Sequence, residues 1–477
     1  MTATVKATPL VRALTYLYPM ALPFFGFSLY NVGERGLGRP DWIVGAAIVV
    51  VGGSWALVRG VGLRRSPAYV FVALFALTGL LSGIGLWNAS TDQVIDFLTK
   101  AGQLVLVTAV FFAMSLLPLV QPELGGILRA WLLIACLVAL YGLYQLVARP
   151  FDLPFGYLGM TNPSIAQAQT GRTLVGYMQF SSVFSEPSYL ASFLSGPFIL
   201  AAVLAFSRAN QPPAARSSYI NWLVVAILGL TILLAGSQGS YASLLMTLAF
   251  AFVFGILNRW AVLRLLALAG LLFLVTGLAL HALGIGFLEA TVQRFVGLMM
   301  NIQDPANTAA VTSFANRYAR TVAALQIWAE HPVLGVGLGG MPYYTEVHPW
   351  ANNGWAQVLV DQGLLGAAVL ALIPLTLYSR LAALRRSAAV PPVWRAVATG
   401  LMLVLVFDVV DEMFTLNWTH SQRWFTLTMA NCVYLGLRSY GREAAGSPPG
   451  RSPLPGSASM TLTEAGVAAA GGQPRQS

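Results

Sequence analysis

Residues Ala315–Gly366 read ANRYARTVAALQIWAEHPVLGVGLGGMPYYTEVHPWANNGWAQVLVDQGLLG. This is the largest block of polar and special-conformation residues in a chain that is otherwise mostly hydrocarbon. It holds Arg317 and Arg320, two of the chain's four histidines, a glycine-rich run and an Asn pair. The apolar runs on either side read as a membrane scaffold that presents this block at one face.

Composition supports that division. The 477 residues are 57% hydrophobic and only 9% charged, with mean hydropathy +0.70; a soluble domain carries about 25% charge. A membrane helix needs about 20 mostly apolar residues. Twelve stretches qualify: 13–31, 42–60, 67–88, 101–120, 129–148, 188–206, 219–236, 239–257, 261–283, 355–379, 396–414 and 422–438. The expected fold is all-α and polytopic, with a large helical extracytoplasmic loop. The expected organisation is spans 1–9 within 1–283 (with an outer loop at 149–187), the large loop 284–354, spans 10–12 within 355–438, and a Gly/Pro/Ser-rich disordered tail over 439–477. The first apolar run is followed too closely by others to be a cleaved signal peptide.

With the N-terminus inside, most of the 27 lysines and arginines fall on the cytoplasmic side, although the outer loops are longer. That bias places both termini in the cytoplasm. It also accounts for the net charge of +10 as topology, so no nucleic-acid partner is expected. Cys136 and Cys432 lie inside apolar runs and offer neither a disulfide framework nor a metal spacing.

The outer segments carry the candidate chemistry. Segment 149–187 contains Arg172 and ends FSSVFSEPSYLASFL. Pro187 suits a first helical turn and Ser185 a cap. Glu186 fits both a capped helix start and a carboxylate at the mouth of a polar site. The sequence LAGSQGSYASLL, containing Gln238, reads as a tight outer turn. A helix over 314–330 would bury Phe314, Tyr318, Val322 and Leu325 as one apolar face. Arg317 and Arg320 lie beside that face, one turn apart, and two guanidiniums at that spacing can grip a pyrophosphate. GVGLGG follows no strand, so it is not a nucleotide-binding loop; its glycines would allow tight turns and bring backbone amides close to a ligand. His348 can accept a proton from a sugar hydroxyl. Asn352 and Asn353 fit helix capping or hydroxyl binding. Asp408, Asp411 and Glu412 share one face of the eleventh span, where carboxylates need a cavity or a partner.

On these residues the stretch resembles the O-antigen ligases and the O-antigen or exopolysaccharide polymerases of bacterial envelopes. The matching pattern is Arg317, then a helix, then Pro332-Val-Leu-Gly-Val-Gly-Leu-Gly, the polar pair Asn352-Asn353, Asp361, Gly363 and Gly366. GSQGS resembles the family's Ser-Arg-Gly turn, and FSEPSYLASFL resembles exopolysaccharide-type members. The resemblance implies a GT-C-like membrane glycosyltransferase in the bacterial inner membrane, metal-independent and inverting, without a cofactor. It would use an undecaprenyl-diphosphate-linked glycan donor and a glycan acceptor, with arginines (Arg317, Arg320, Arg172) on the pyrophosphate and Asn352, Asn353 and Gln238 near the sugar. Membrane lipids, a chain-length regulator and a flippase are the partners it implies.

Two positions depart from the pattern. Asn352 stands where the family has His, so the base is His348 from a shifted loop, or Glu186 or Asp408. Gln238 stands where the family has Arg, and Arg172 or Arg320 would replace that contact. The exopolysaccharide-type likeness favours a polymerase over a ligase. A secondary transporter is the alternative from another class, although the chain lacks the paired halves usual there.

Overall fold

The structure is a computed structural model. It describes residues 7–32, 35–161, 173–174, 177–209, 220–282, 284, 286–287, 289, 291–292, 309–345, 350–416 and 418–446. Helices α1 (Pro9–Ala21), α2 (Pro40–Val58), α3 (Ala68–Leu81), α4 (Thr91–Leu116), α5 (Gln121–Ala148) and α6 (Pro187–Ala209) lead into α7 (Ile220–Ala235), α8 (Gln238–Val253) and α9 (Arg259–Ala282). After α10 (Ala309–Glu330) come α11 (Gly354–Arg386), α12 (Pro392–Asp411) and α13 (Ser421–Gly446). Two antiparallel ribbons, Tyr30–Val32 with Arg35–Leu37 and Thr173–Leu174 with Tyr177–Met178, are the strands among the described residues.

Eleven of the expected spans coincide with a helix; the first, 13–31, is corrected, because the helix ends at Ala21, a short helical turn runs to Gly26 and the chain then enters the strand Tyr30–Val32. Helix α10 is the expected loop helix. Among the described residues seven helices are long and apolar enough to cross a membrane, and Ala68–Ile84, Trp222–Ala235 and Gln238–Val253 are shorter apolar helices. Helix architecture is what a bilayer demands, since every backbone group must find its partner inside the chain. Helix α13 continues to Gly446, past the expected end of the last span. The rest of the expected disordered tail, from 447, lies outside the described residues.

Helices α6 and α12 form the centre: 78% and 67% of their apolar windows are buried, against 18% for α9 at the periphery. Small polar side chains fasten helices to one another. Asn431 on α13 accepts from Ser66 (2.7 Å) and donates to Ser115 of α4 (2.9 Å), while Thr78 of α3 donates to Gln362 of α11 (3.0 Å). In a bilayer such bonds are worth about 0.6 kcal/mol each.

The glycine-rich run has a structural task that its sequence does not announce. Helix α11 is broken at Gly363, whose φ of 66° and ψ of −167° are non-helical. The segment 332–340 lies across the break. Leu364 N donates to Pro332 O (2.8 Å), and Val336 N donates to Val360 O (2.7 Å). Gly339 N donates to the Asp361 carboxylate (3.2 Å). The loop therefore satisfies backbone groups that the break would otherwise strand inside the membrane. A Cβ on Gly335 would lie 2.2 Å from Val360 O, and one on Gly363 would lie 2.1 Å from Val333 O. The expectation that these glycines bring amides up to a ligand is corrected here: the close approach is to the backbone of α11.

The expected apolar face of α10 is also corrected. Tyr318 and Leu325 are exposed. The helix buries Ala324 and Ile327 instead, against Val336, Met341, Ala351, Ala356 and Val360. Alanine lets the helix lie close to the glycine loop and to the start of α11, which a row of large side chains would prevent. The side chain of Phe314 lies outside the described residues.

Candidate active site

The starts of α2, α6, α8, α11 and α13 and the ends of α1 and α12 meet at one face of the bundle. Three buried carboxylates at the end of α12 organise it. Asp408, Asp411 and Glu412 all face Arg423, in the first turn of α13. Arg423 Nη1 contacts Asp408, Nη2 lies 3.0 Å from Asp411 Oδ2, and Nε lies 2.9 Å from Glu412 Oε1. Acids at a helix C-terminus and a cation at a helix N-terminus each oppose the local dipole. Pairing across the α12–α13 turn offsets both penalties and partners charges that burial would otherwise leave stranded. Asp411 is fully buried and extends the knot. It accepts from Ser192 of α6 (2.7 Å), Ser243 of α8 (3.2 Å) and Thr415 (3.1 Å).

The turn that follows Asp411 is the surface on which the large loop docks. Gly354 N donates to the carbonyls of Glu412 (2.6 Å) and Thr415 (2.9 Å). Asn353 caps α11 through Ala356 N (3.0 Å), and its Nδ2 donates to Met413 O (3.1 Å). Arg317, half-buried on α10, donates from Nη1 to Phe414 O (3.1 Å). The GSQGS turn reaches the same residue: a Cβ on Gly239 would lie 2.8 Å from the Phe414 side chain. Gln238 beside it is exposed and opens α8, with Ser237 as cap.

Glu186 immediately precedes α6. Its carbonyl accepts from Leu190 N (3.3 Å), and Ser188 donates to its carboxylate (3.2 Å). No side-chain cap comes from Ser185 among the described residues. Tyr189 lies one helical turn from the knot's Ser192 and three residues after Glu186, and its ring packs near His420 (5.6 Å).

A second polar group, built on Phe25, lies at the same face. His420, just before α13, stacks near Phe25 (5.2 Å between ring centres) and Tyr189 (5.6 Å). Burial, reinforced by Arg39, Lys100 and Arg423, pushes its pKa from 6.5 down to about 3, so the imidazole is neutral at physiological pH. Arg39 opens α2. It grips Asp41 through two bonds (3.1 and 2.7 Å) and lies over the rings of Phe25 and Trp42.

Of the residues singled out in the sequence, Glu186, Arg317, Gln238, Asn353 and Asp408 therefore gather around the 411–423 turn. Arg320 is one turn along α10, half-buried, with its Nε unpartnered among the described residues. Asn352 takes a left-handed conformation (φ 53°) before the cap. His348 and Arg172 lie outside the described residues. Sequence reasoning missed Arg423, Arg39, Lys100, Tyr189 and His420. For Arg423 a signal existed: three acids in one span require a cation, and Arg423 opens the next span.

The apolar helices thus carry a cluster of charged and polar side chains at one face of the bundle. Residues 223–371, from α7 through the glycine loop into α11, are similar to the family model described as O-antigen ligase. No curated protein matches the chain.

Proposed function

We propose that the protein is a glycosyltransferase that moves a glycan from an undecaprenyl-diphosphate carrier to an acceptor sugar, working as a polymerase of lipid-linked repeat units. The observation that carries this reading is the position of Arg317. It lies within the segment similar to the O-antigen ligase model, and it is tied to Phe414 O in the turn that follows the Asp411–Glu412–Arg423 knot. In the proposed step an acceptor hydroxyl attacks the anomeric carbon, the bond to the diphosphate breaks, and the electron pair leaves with the phosphate oxygen. Arg317 and Arg320 take up the charge that develops there, the type of stabilisation that dominates such reactions. The proton passes to Glu186 or His348. Asp408, held by Arg423, shapes the crevice as a positioning residue. One inverting displacement of this kind needs the cations, the base and the membrane-face location.

The proposed setting is the periplasmic face of the inner membrane, with both termini cytoplasmic, a flippase supplying the donor and a chain-length regulator acting on the product. The likeness to the O-antigen ligase family favours a second reading, a ligase that delivers finished polymer to a lipid or protein acceptor. Product analysis in a deletion strain separates the two. Single lipid-linked repeat units without polymer support the polymerase. Intact lipid-linked polymer supports the ligase. Unchanged glycans with proton-coupled uptake by the purified protein would overturn both.

A further inference from the structure

The loop that follows α5 is built around a buried guanidinium. Arg149 ends the helix and is 5% exposed. Its Nε donates to Gly156 O (2.9 Å), its Nη1 to Gln179 O and its Nη2 to Gln145 Oε1 (3.4 Å). The centre of the Tyr157 ring lies 4.6 Å from the guanidinium carbon. Tyr141 and Tyr144 of α5 donate to Phe155 O (2.8 Å) and Pro154 O, and Leu153 N donates to Ala148 O (2.9 Å). Under these bonds Asp152 and Phe155 hold φ values of 50° and 61°, which residues with a Cβ rarely adopt. The loop is held in place around a space. Arg149, Asp152, Leu153, Phe155, Gly156 and Tyr157 line a cavity of about 290 Å³, near the lower limit of roughly 300 Å³ for small-molecule sites.

The lining selects the ligand. Arg149 and Asp152 bring opposite charges to one cavity, so its described residues carry no net charge to favour an anion. The guanidinium is engaged by carbonyl oxygens and covered by a ring. The Asp152 carboxylate is exposed and forms no hydrogen bond or ion pair with a described residue. Phe155 and Tyr157 beside it are 73% and 48% exposed. A carboxylate with accepting capacity next to aromatic faces fits a sugar ring: neighbouring hydroxyls donate to the carboxylate oxygens, and the C–H face of the sugar lies on the aromatic ring.

The cavity shares a face of the bundle with the candidate active site, since α5 ends where α6 begins. The same helix end holds the segment that leads to Glu186. Ser182 N donates to Gln145 Oε1 (2.8 Å), and Ser182 Oγ donates to Val138 O (2.7 Å). Gln179 donates from Nε2 to Ala235 O (3.4 Å), at the start of the GSQGS turn. Gln179 and Glu186 are seven positions apart, so they lie at most roughly 25 Å from each other.

We propose that this cavity is a subsite that holds one uncharged sugar ring of the acceptor glycan, away from the point of transfer. The identity of the ligand rests on the glycosyl transfer proposed above.

The test uses full-length protein in phosphatidylcholine nanodiscs and saturation-transfer NMR. The probe is the oligosaccharide released by mild acid from the lipid-linked glycan of the cells that make the protein. Asp152→Asn is the informative variant, because Asn keeps the shape and tolerates the left-handed backbone while losing the charge. Its affinity for the oligosaccharide is expected to be about tenfold weaker than wild type, with the thermal midpoint retained. Phe151→Ala, exposed on the same loop but outside the cavity lining, should change affinity by less than about twofold. Wild-type affinity should also hardly change with salt, as a neutral ligand requires. No saturation transfer up to roughly 10 mM oligosaccharide, or equal affinity in Asp152→Asn, would overturn the subsite and leave the exposed rings to the bilayer interface. A steep fall of affinity with salt would mean an anion site and would overturn it too. Binding is read without turnover, so transfer of glycan by a protein that shows no such binding defeats the subsite alone. Binding by a protein that transfers nothing defeats only the proposed reaction.

Discussion

Replacing Gly363 by Ala tests whether the glycine loop is a structural insert in α11. The added methyl would sit 2.1 Å from Val333 O and 2.6 Å from Leu334 N, both backbone atoms that no rotamer change can clear. The left-handed φ adds about 1–2 kcal/mol for a residue with a Cβ. To make room the loop must withdraw, which removes the bonds Leu364 N to Pro332 O, Val336 N to Val360 O and Gly339 N to Asp361. Each is worth about 1 kcal/mol, and more where the donor is left buried and unpaired. The total is about 4–8 kcal/mol, comparable with the whole stability of many domains. The expected response is local: 332–345 undocks while the helices stay assembled. Limited proteolysis of purified protein should then cut between His331 and Thr345 much faster than in wild type, and glycan transfer should fall below detection. Gly125→Ala, where a methyl meets nothing within 4 Å, is the control and should behave as wild type. Wild-type protease resistance and transfer in Gly363→Ala would refute the reasoning.

Arg423→Met strands three carboxylates in the protein interior and is expected to cost about 3–5 kcal/mol, read as a large fall in thermal midpoint in detergent. Combining it with Asp411→Asn and Glu412→Gln should recover part of that loss, since the uncompensated charge is then smaller; no recovery would mean that the knot is not what holds α12 to α13. His420 gives a pH dependence. Its folded pKa of about 3 lies below the unfolded 6.5, so below pH 6.5 the unfolded chain binds the proton and stability falls as pH drops toward 3. The loss is at most about 2 kcal/mol by pH 5, from about 1.4 kcal/mol per pH unit, less whatever solvent screens at a half-buried ring. His420→Asn should flatten the thermal midpoint between pH 6.5 and 5, and an unchanged slope would show that other groups set it.

The helices were legible because runs of about 20 apolar residues have one stable solution in a bilayer. Arg317 was legible for a related reason: a charge in an otherwise apolar chain must serve a purpose. What the sequence hid were contacts between distant segments. That Gly335 and Gly363 meet backbone to backbone follows from the break in α11, which no local pattern announces, so their glycines looked like ligand contacts. The face of α10 was misjudged because large side chains at helical spacing suggest burial, whereas Ala324 and Ile327 are buried for their fit against the loop. Arg39 has no local signal that sets it apart from other basic residues, and only the fold brings it to the Phe25 ring that His420 also meets. Arg423 is the omission that charge balance alone could have prevented.

The central claim is that Arg317 stabilises a diphosphate leaving group. The direct measurement is the single-turnover rate of glycan transfer from a lipid-diphosphate donor by reconstituted wild type, Arg317→Lys and Arg317→Ala. Thermal midpoint and donor binding are measured on the same samples. The account predicts a loss of about 10²–10³-fold in the chemical rate for Arg317→Ala with the thermal midpoint retained, and an intermediate rate for lysine, which keeps the charge but not the fork. A wild-type rate in folded Arg317→Ala would contradict it.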